Sequence, residues 1–205
     1  MRRVLLLAVS TILLAGVTGY FTLIMNKKEQ ANSAQTLEPK ISPVGAEIAR
    51  YKKVPAYQNG KLIVTSHGKH YATDGYYYGQ KWQCVEFVKR FYHDAHGHHM
   101  PSVWGHACDF FDPDVAHGEM NTARGMRQYR NGGGEAPKPD DLLVFRKGSL
   151  GHVAVVTKVT ESSIEVIQQN VHGLPTAQHV LVCKAGKYTV GNKHQPAGWL
   201  RLPEL

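Results

Sequence analysis

Cys84-Val85-Glu86-Phe87-Val88-Lys89-Arg90-Phe91-Tyr92 sets apolar side chains at positions 84, 87, 88 and 91 on one face of a helix and puts Glu86, Lys89 and Arg90 elsewhere. Gly97 supplies a natural stop. Upstream, Gly75 to Gly79 reads as a loop leading into this helix, and Ala46 to Tyr51 reads as a short helix of its own. Downstream the period changes. Leu142 to Phe145, His152 to Val159, Ser163 to Gln169 and His179 to Cys183 are short β-branched or apolar segments parted by Gly, Pro, Ser and Asn, as antiparallel strands require. The run Asn131-Gly132-Gly133-Gly134 between the two halves reads as a flexible loop. Helices first and sheet second predict an α+β domain, with N-terminal helices packed on an antiparallel sheet.

Further out, Val4 to Met25 is 22 residues without a formal charge, flanked by Arg2 and Arg3 before it and Lys27 and Lys28 after it. That length spans a bilayer, so residues 1–25 are expected to be a transmembrane signal anchor. The competing reading is a cleaved signal peptide, for which Ala31-Asn32-Ser33 offers small residues at a suitable spacing. The greater positive charge at the start implies a cytoplasmic N terminus. A single-pass protein of a bacterial-type inner membrane follows, its domain facing the periplasm or cell exterior. Residues 26–44 read as a linker and 45–205 as the domain.

The composition, 42% hydrophobic and 20% charged, is ordinary for a globular protein. Beyond residue 44, 19 basic and 14 acidic residues leave a net charge of +5, a mild basicity without an Arg/Lys run interleaved with aromatics. Nucleic acid is therefore not an expected partner. Three cysteines, Cys84, Cys108 and Cys183, cannot all pair within one chain, so at least one thiol stays free; Cys108 and Cys183 are the pair that an oxidising compartment could join.

Cys84 sits in the first turn of the helix, where exposed backbone N–H groups and the helix dipole favour thiolate. The bland alternative is an inert buried thiol. What tips the balance is His152, which opens an apolar strand after Gly151. If Thr160 to Ser162 turn a hairpin, residue 152 faces residue 170, and Gln168 becomes its diagonal neighbour, within reach to accept the Nδ1–H bond and fix the tautomer. Nucleophile, base and orienting group are then all assigned.

Taken together, Gly79-Gln80-Lys81-Trp82-Gln83-Cys84-Val85-Glu86-Phe87, Asp141-Leu142-Leu143-Val144-Phe145, Gly151-His152-Val153-Ala154-Val155-Val156, Gln168-Gln169-Asn170-Val171 and Gly198-Trp199-Leu200 resemble the CHAP family of cysteine, histidine-dependent amidohydrolases and peptidases, and in it the glutathionylspermidine amidases. The resemblance covers about residues 45 to 205. It implies a papain-like fold, Cys84 as nucleophile, His152 as base, and Gln83 with the Cys84 N–H beside the oxyanion. It further implies that Lys89 helps hold substrate, that Asn170 lies near the site, and that Val103, Trp104, Gly105 and His106 contact substrate. Those amidases carry Glu where this chain has Gln168; a neutral amide orients His152 but cannot stabilise imidazolium by charge.

Other clusters read as structural. His93, His96, His98 and His99 fit no standard metal motif and suit a helix end, so no metal is expected, nor any other cofactor. Asp140 and Asp141 read as turn and strand-entry groups. Glu86 points away from the Cys84 face. Trp82, Trp104 and Trp199 are each as suited to core as to a groove. The expected activity is hydrolysis of a C–N amide bond through a thioester acyl-enzyme, on a substrate resembling glutathionylspermidine. The alternatives are a peptidoglycan stem or bridge peptide, or a non-catalytic wall- or peptide-binding module.

Overall fold

A computed structural model describes residues 42–172 and 174–203; the expected anchor of residues 1–25 and most of the linker lie outside them. Among the described residues no helix is long and apolar enough to cross a membrane. The compact unit Ser42–Leu205 is α+β. Its strands are β1 (Glu47–Tyr51), β2 (Val54–Tyr57), β3 (Lys69–Tyr71) and β4 (Tyr77–Gln80), then helix α1 (Cys84–His96) and a 3-10 turn (Ala107–Phe110). There follow β5 (Met120–Asn121), β6 (Met126–Arg130), β7 (Leu142–Phe145), β8 (His152–Val159), β9 (Ser163–Ile167), β10 (Thr176–Lys184), β11 (Lys187–Val190) and β12 (Gly198–Arg201).

The expectation of several N-terminal helices is corrected: α1 is the one α-helix among the described residues, and two hairpins precede it. Ala46 to Tyr51, read as a short helix, contains β1, paired antiparallel with β2. So short a segment cannot repay helix nucleation by itself, whereas a ladder with β2 satisfies its backbone. The turn places Lys52 (φ 44°) and Lys53 (φ 69°) at positive φ, a geometry normally signalled by Asn or Gly, so the sequence carried no hairpin mark. The Gly75–Gly79 loop likewise gives way at Tyr77 to β4, which pairs with β3.

The main sheet has eight strands in the order β11-β10-β9-β8-β7-β12-β6-β5, every neighbouring pair antiparallel. Its central strands read as continuous apolar runs because both faces are buried. Leu142, Val144, Val153 and Val155 join Phe87, Val88 and Phe91 of α1 in one core, while Leu143, Ala154, Val156 and Trp199 build a second. Asn131 to Gly134 is bridged to β11, Gly132 N–H donating to Tyr188 O at 2.8 Å.

Helix α1 ends as its sequence predicts. Gly97 takes φ 63°, and the N–H groups of Gly97 and His98 close on the carbonyls of His93 and Tyr92 at 2.9 and 3.0 Å. On its other face, buried Glu86 accepts from Arg90 Nε (2.6 Å), Gln169 Nε2 (2.7 Å) and His70 Nδ1 (2.8 Å). Gln169 also donates to Gln83 O at 3.0 Å and accepts from Tyr57 N–H at 2.6 Å. The carboxylate thus clamps the start of α1 to the end of β9 and to β2. Burial opposes its ionisation, but His70, Arg90 and Gln169 outweigh burial and hold its pKa below the ordinary carboxylate value.

Candidate active site

Cys84 is the first residue of α1, and Gln83, in extended conformation, is its N-cap. The helix lands on β8, so the sulfur is buried against that strand's first residues. Burial pushes the Cys84 thiol up to about 11, although hydrogen bonds from the N–H groups of Val153, Val85 and Cys84 itself pull the other way. The helix N terminus therefore supplies donors as expected, but burial outweighs them and the resting group is a thiol.

His152 is the first residue of β8 and pairs across to Phe145 on β7, whose ring stands 6.1 Å from the imidazole. Its access to the cleft depends on Gly151, with φ 68°: a Cβ there would sit 2.6 Å from Cys108 N and from Phe145 O. Only glycine lets the chain pass this close to the 3-10 turn. Burial lowers the His152 pKa, the Gln168 bond works against that, and His179 adds to it. Thiol and imidazole are thus both neutral at rest.

Gln168 meets His152 as the hairpin geometry predicts, with one correction. Val155 pairs with Ile167 and Val156 with Val166, the register that sets 152 against 170, while a bulge before Lys158 absorbs one residue nearer the turn. The bond, however, joins Gln168 Oε1 to His152 Nε2, at 3.0 Å, and not to Nδ1 as expected. With Nε2 so held, Nδ1 is the nitrogen left for proton transfer. Gln168 Nε2 in turn donates to Leu174 O at 3.3 Å.

A cleft of about 820 Å³ brings together Cys84, His152, Gln168, Gln83, Asn170 and the Val103–His106 segment. Gln83 and Asn170 belong to a chain of side-chain amides that no local sequence pattern announces. Asn59 Nδ2 donates to Asn170 Oδ1 (2.7 Å), and Asn170 Nδ2 donates to Gln83 Oε1 and to Ile63 O (2.7 Å). Gln83 Nε2 donates to Thr65 O at 2.7 Å. The loop around residues 59–66 is thereby pinned over the helix N terminus, and its Ile63, Val64 and Ser66 form a cleft wall. No periodicity marks such a wall in the sequence.

Lys89 does not line the cleft. Its ammonium is buried, donating to the carbonyls of Tyr77 and of Val103 (3.1 Å) beneath the rings of Tyr76 and Tyr77. Lys89, expected to help hold substrate, instead donates to backbone, because the long side chain runs inward from a buried helix face. Burial and the nearby Arg124 lower its pKa to about 8. Arg124 donates to Ser102 O (2.8 Å) and Trp104 O (3.2 Å), so two buried cations hold the 102–104 segment by its carbonyls. Trp104 is left 68% exposed on the cleft, Trp199 is fully buried, and Trp82 packs on Tyr57. Asp141 is spent on Arg201 (2.7 Å), and Asp140 accepts from Tyr51 (3.0 Å), consistent with their structural reading. Cys108 and Cys183 are free thiols.

A thiol, an imidazole and a side-chain amide bonded to that imidazole thus line one cleft, the kinds of group that thiol hydrolases acting through an acyl-enzyme use. Residues 74–170 match the CHAP domain, a family of cysteine, histidine-dependent amidohydrolases. The chain is similar to the bifunctional glutathionylspermidine synthetase/amidase of Escherichia coli (strain K12), with 30% identity over 142 residues, covering 62% of this chain and 23% of the relative. It is also similar to the trypanothione synthetase of Crithidia fasciculata (31% identity, 57% of this chain, 18% of the relative) and to the glutathionylspermidine synthase of the same organism (36%, 45% and 14%). The chain spans less than a quarter of the length of these relatives.

Proposed function

We propose that this protein is a thiol-dependent amidase that cleaves a C–N amide bond. Neutral His152 takes the Cys84 proton at Nδ1 as sulfur attacks the carbonyl carbon. The tetrahedral oxyanion is met by the helix N-terminal N–H of Cys84 and by the side chain of Gln83. Collapse expels the amine, which receives the proton from His152, and leaves a thioester; water activated by the same imidazole then releases the acid. The observation that carries this reading is the Gln168–His152 bond on the cleft that Cys84 opens into, since a thiol kept only for packing needs no oriented base.

For the substrate, the relatives' names support an amide resembling glutathionylspermidine. One observation favours the second reading, a cell-wall bridge or stem peptide: among the described residues the cleft lining includes no Lys, Arg, Asp or Glu, and its rim exposes Ile63, Val64, Trp104 and Leu150. Such a lining offers no counter-charge to a polyamine or a glutathionyl carboxylate and suits an uncharged stretch such as a neutral bridge peptide. The charge-free segment Val4–Met25 supports placing the enzyme at a membrane with its domain outside.

The test is amine release from glutathionylspermidine and from purified peptidoglycan peptides, with Cys84→Ala as control. Cleavage of the conjugate alone assigns the first substrate, and cleavage of wall peptides alone the second. A Cys84 thiol that alkylates no differently after His152→Ala, with neither substrate cut, overturns the enzyme reading in favour of a binding module.

A further inference from the structure

The histidine-rich end of α1 separates in three dimensions into groups with different uses. His98 Nε2 meets the carbonyl of Arg124 at 2.8 Å, and His96 faces Asp140 at 3.4 Å. His93 and His99 instead converge on a residue 19 positions upstream of His93: the Nε2 atoms of both lie 3.1 Å from Oδ2 of Asp74. Gly97 makes this possible, since its left-handed conformation folds the chain back so that the ring of His99 stands 4.9 Å from that of His93.

We infer that Asp74, His93 and His99 bind one late first-row divalent metal ion, of which Zn²⁺ fits best. The three ligand atoms lie within 4.8 Å of one another. A tetrahedral ion with bonds of about 2.0–2.1 Å keeps its ligand atoms roughly 3.3–3.4 Å apart, close to the two Asp–His separations, and two imidazoles with one carboxylate are a donor set zinc accepts. The fourth position falls to water.

The surroundings support the ligands. Asp74 Oδ1 is taken by Tyr76 N–H at 2.9 Å, which fixes the carboxylate with Oδ2 toward the imidazoles. His93 Nδ1 is held by Asp94 Oδ1 at 2.7 Å, and the Tyr78 hydroxyl donates to the same oxygen at 2.7 Å. That is the carboxylate–histidine arrangement that aims the other ring nitrogen at a metal. The Tyr76 ring lies nearly parallel to His93, at 8° and 5.6 Å, and 4.7 Å from His99, so both rings rest on one aromatic shelf. Asp74 and His99 side chains are 48% and 52% exposed, leaving an ion open access. None of the three lines the cleft. The ion's role is to tie the segment entering β4, whose Tyr77 does line the cleft, to the end of α1.

The test uses the full-length chain without a polyhistidine tag, in a Cys84→Ala, Cys108→Ser, Cys183→Ser background that removes thiol ligands. Co²⁺ absorption and Zn²⁺ competition against a chromophoric chelator are read, with circular dichroism confirming the fold. One ion per chain is expected, weakened at least about tenfold by His99→Ala and by Asp74→Asn, and by about tenfold or more by Asp94→Asn as a supporting-group change. His96→Ala is expected to leave it unaltered. Binding that survives both His99→Ala and Asp74→Asn, or that is absent below millimolar metal, overturns the site.

Discussion

Replacing Gln168 by Glu tests how the site controls its proton. In the wild type burial raises the Cys84 thiol to about 11 and lowers the His152 pKa, and this gap favours neutral thiol and imidazole over the ion pair. A carboxylate oxygen in place of Oε1, 3.0 Å from Nε2, favours imidazolium and raises the His152 pKa by about 1–3 units, or roughly 1.4–4 kcal/mol. Because the fraction present as thiolate–imidazolium scales with the closing of that gap, alkylation of Cys84 by iodoacetamide near neutral pH is expected to quicken by about tenfold or more. The bond to Leu174 O is lost, at about 1 kcal/mol of stability. The assay is the alkylation rate against pH for wild type, Gln168→Glu and Gln168→Asn, with His152→Ala as the floor. An unchanged or slower neutral rate in Gln168→Glu would refute the claim that this amide sets the charge of His152.

Glu86→Ala strands Arg90, whose side chain is 5% exposed, and is expected to cost about 3–5 kcal/mol in denaturant unfolding; a loss under about 1 kcal/mol would show the clamp to be incidental. Gly151→Ala forces a Cβ to within 2.6 Å of two backbone atoms at φ 68°, so a loss of about 1–3 kcal/mol together with slowed Cys84 alkylation is expected in thermal melts and labelling. Lys89→Met releases the Val103 carbonyl and is expected to raise KM about tenfold, the equivalent of about 1.4 kcal/mol, while the alkylation rate of Cys84 stays within about twofold; an altered alkylation rate would place Lys89 closer to the chemistry than its burial does. For His152, whose folded pKa is depressed by burial, acid favours the unfolded chain: as pH falls below 6.5 the unfolded imidazole takes a proton that the folded one resists. His152→Ala is therefore expected to flatten the loss of stability below pH 6.5.

The amphipathic run from Cys84 to Tyr92, the stop at Gly97 and the apolar runs of β7, β8 and β9 were legible because each reports its own backbone period through hydrophobic spacing. The same spacing put Cys84 at the helix start, and the position of the turn near Thr160 put Gln168 within reach of His152; local chain geometry suffices for both. Tertiary structure decided the rest. The β1–β2 hairpin was hidden because two lysines occupy a turn whose conformation they do not advertise, and Lys52 is held there by Asp140. The fate of Lys89, the Asn59–Asn170–Gln83 amide chain and the meeting of Asp74 with His93 and His99 depend on which residues distant in sequence arrive at one place. The charge state of the thiol depends on burial. A helix N terminus by itself lowers a cysteine's pKa, but packing α1 onto β8 removes the water that would stabilise the thiolate, and that desolvation is a property of the assembled layers, which no stretch of the chain carries alone.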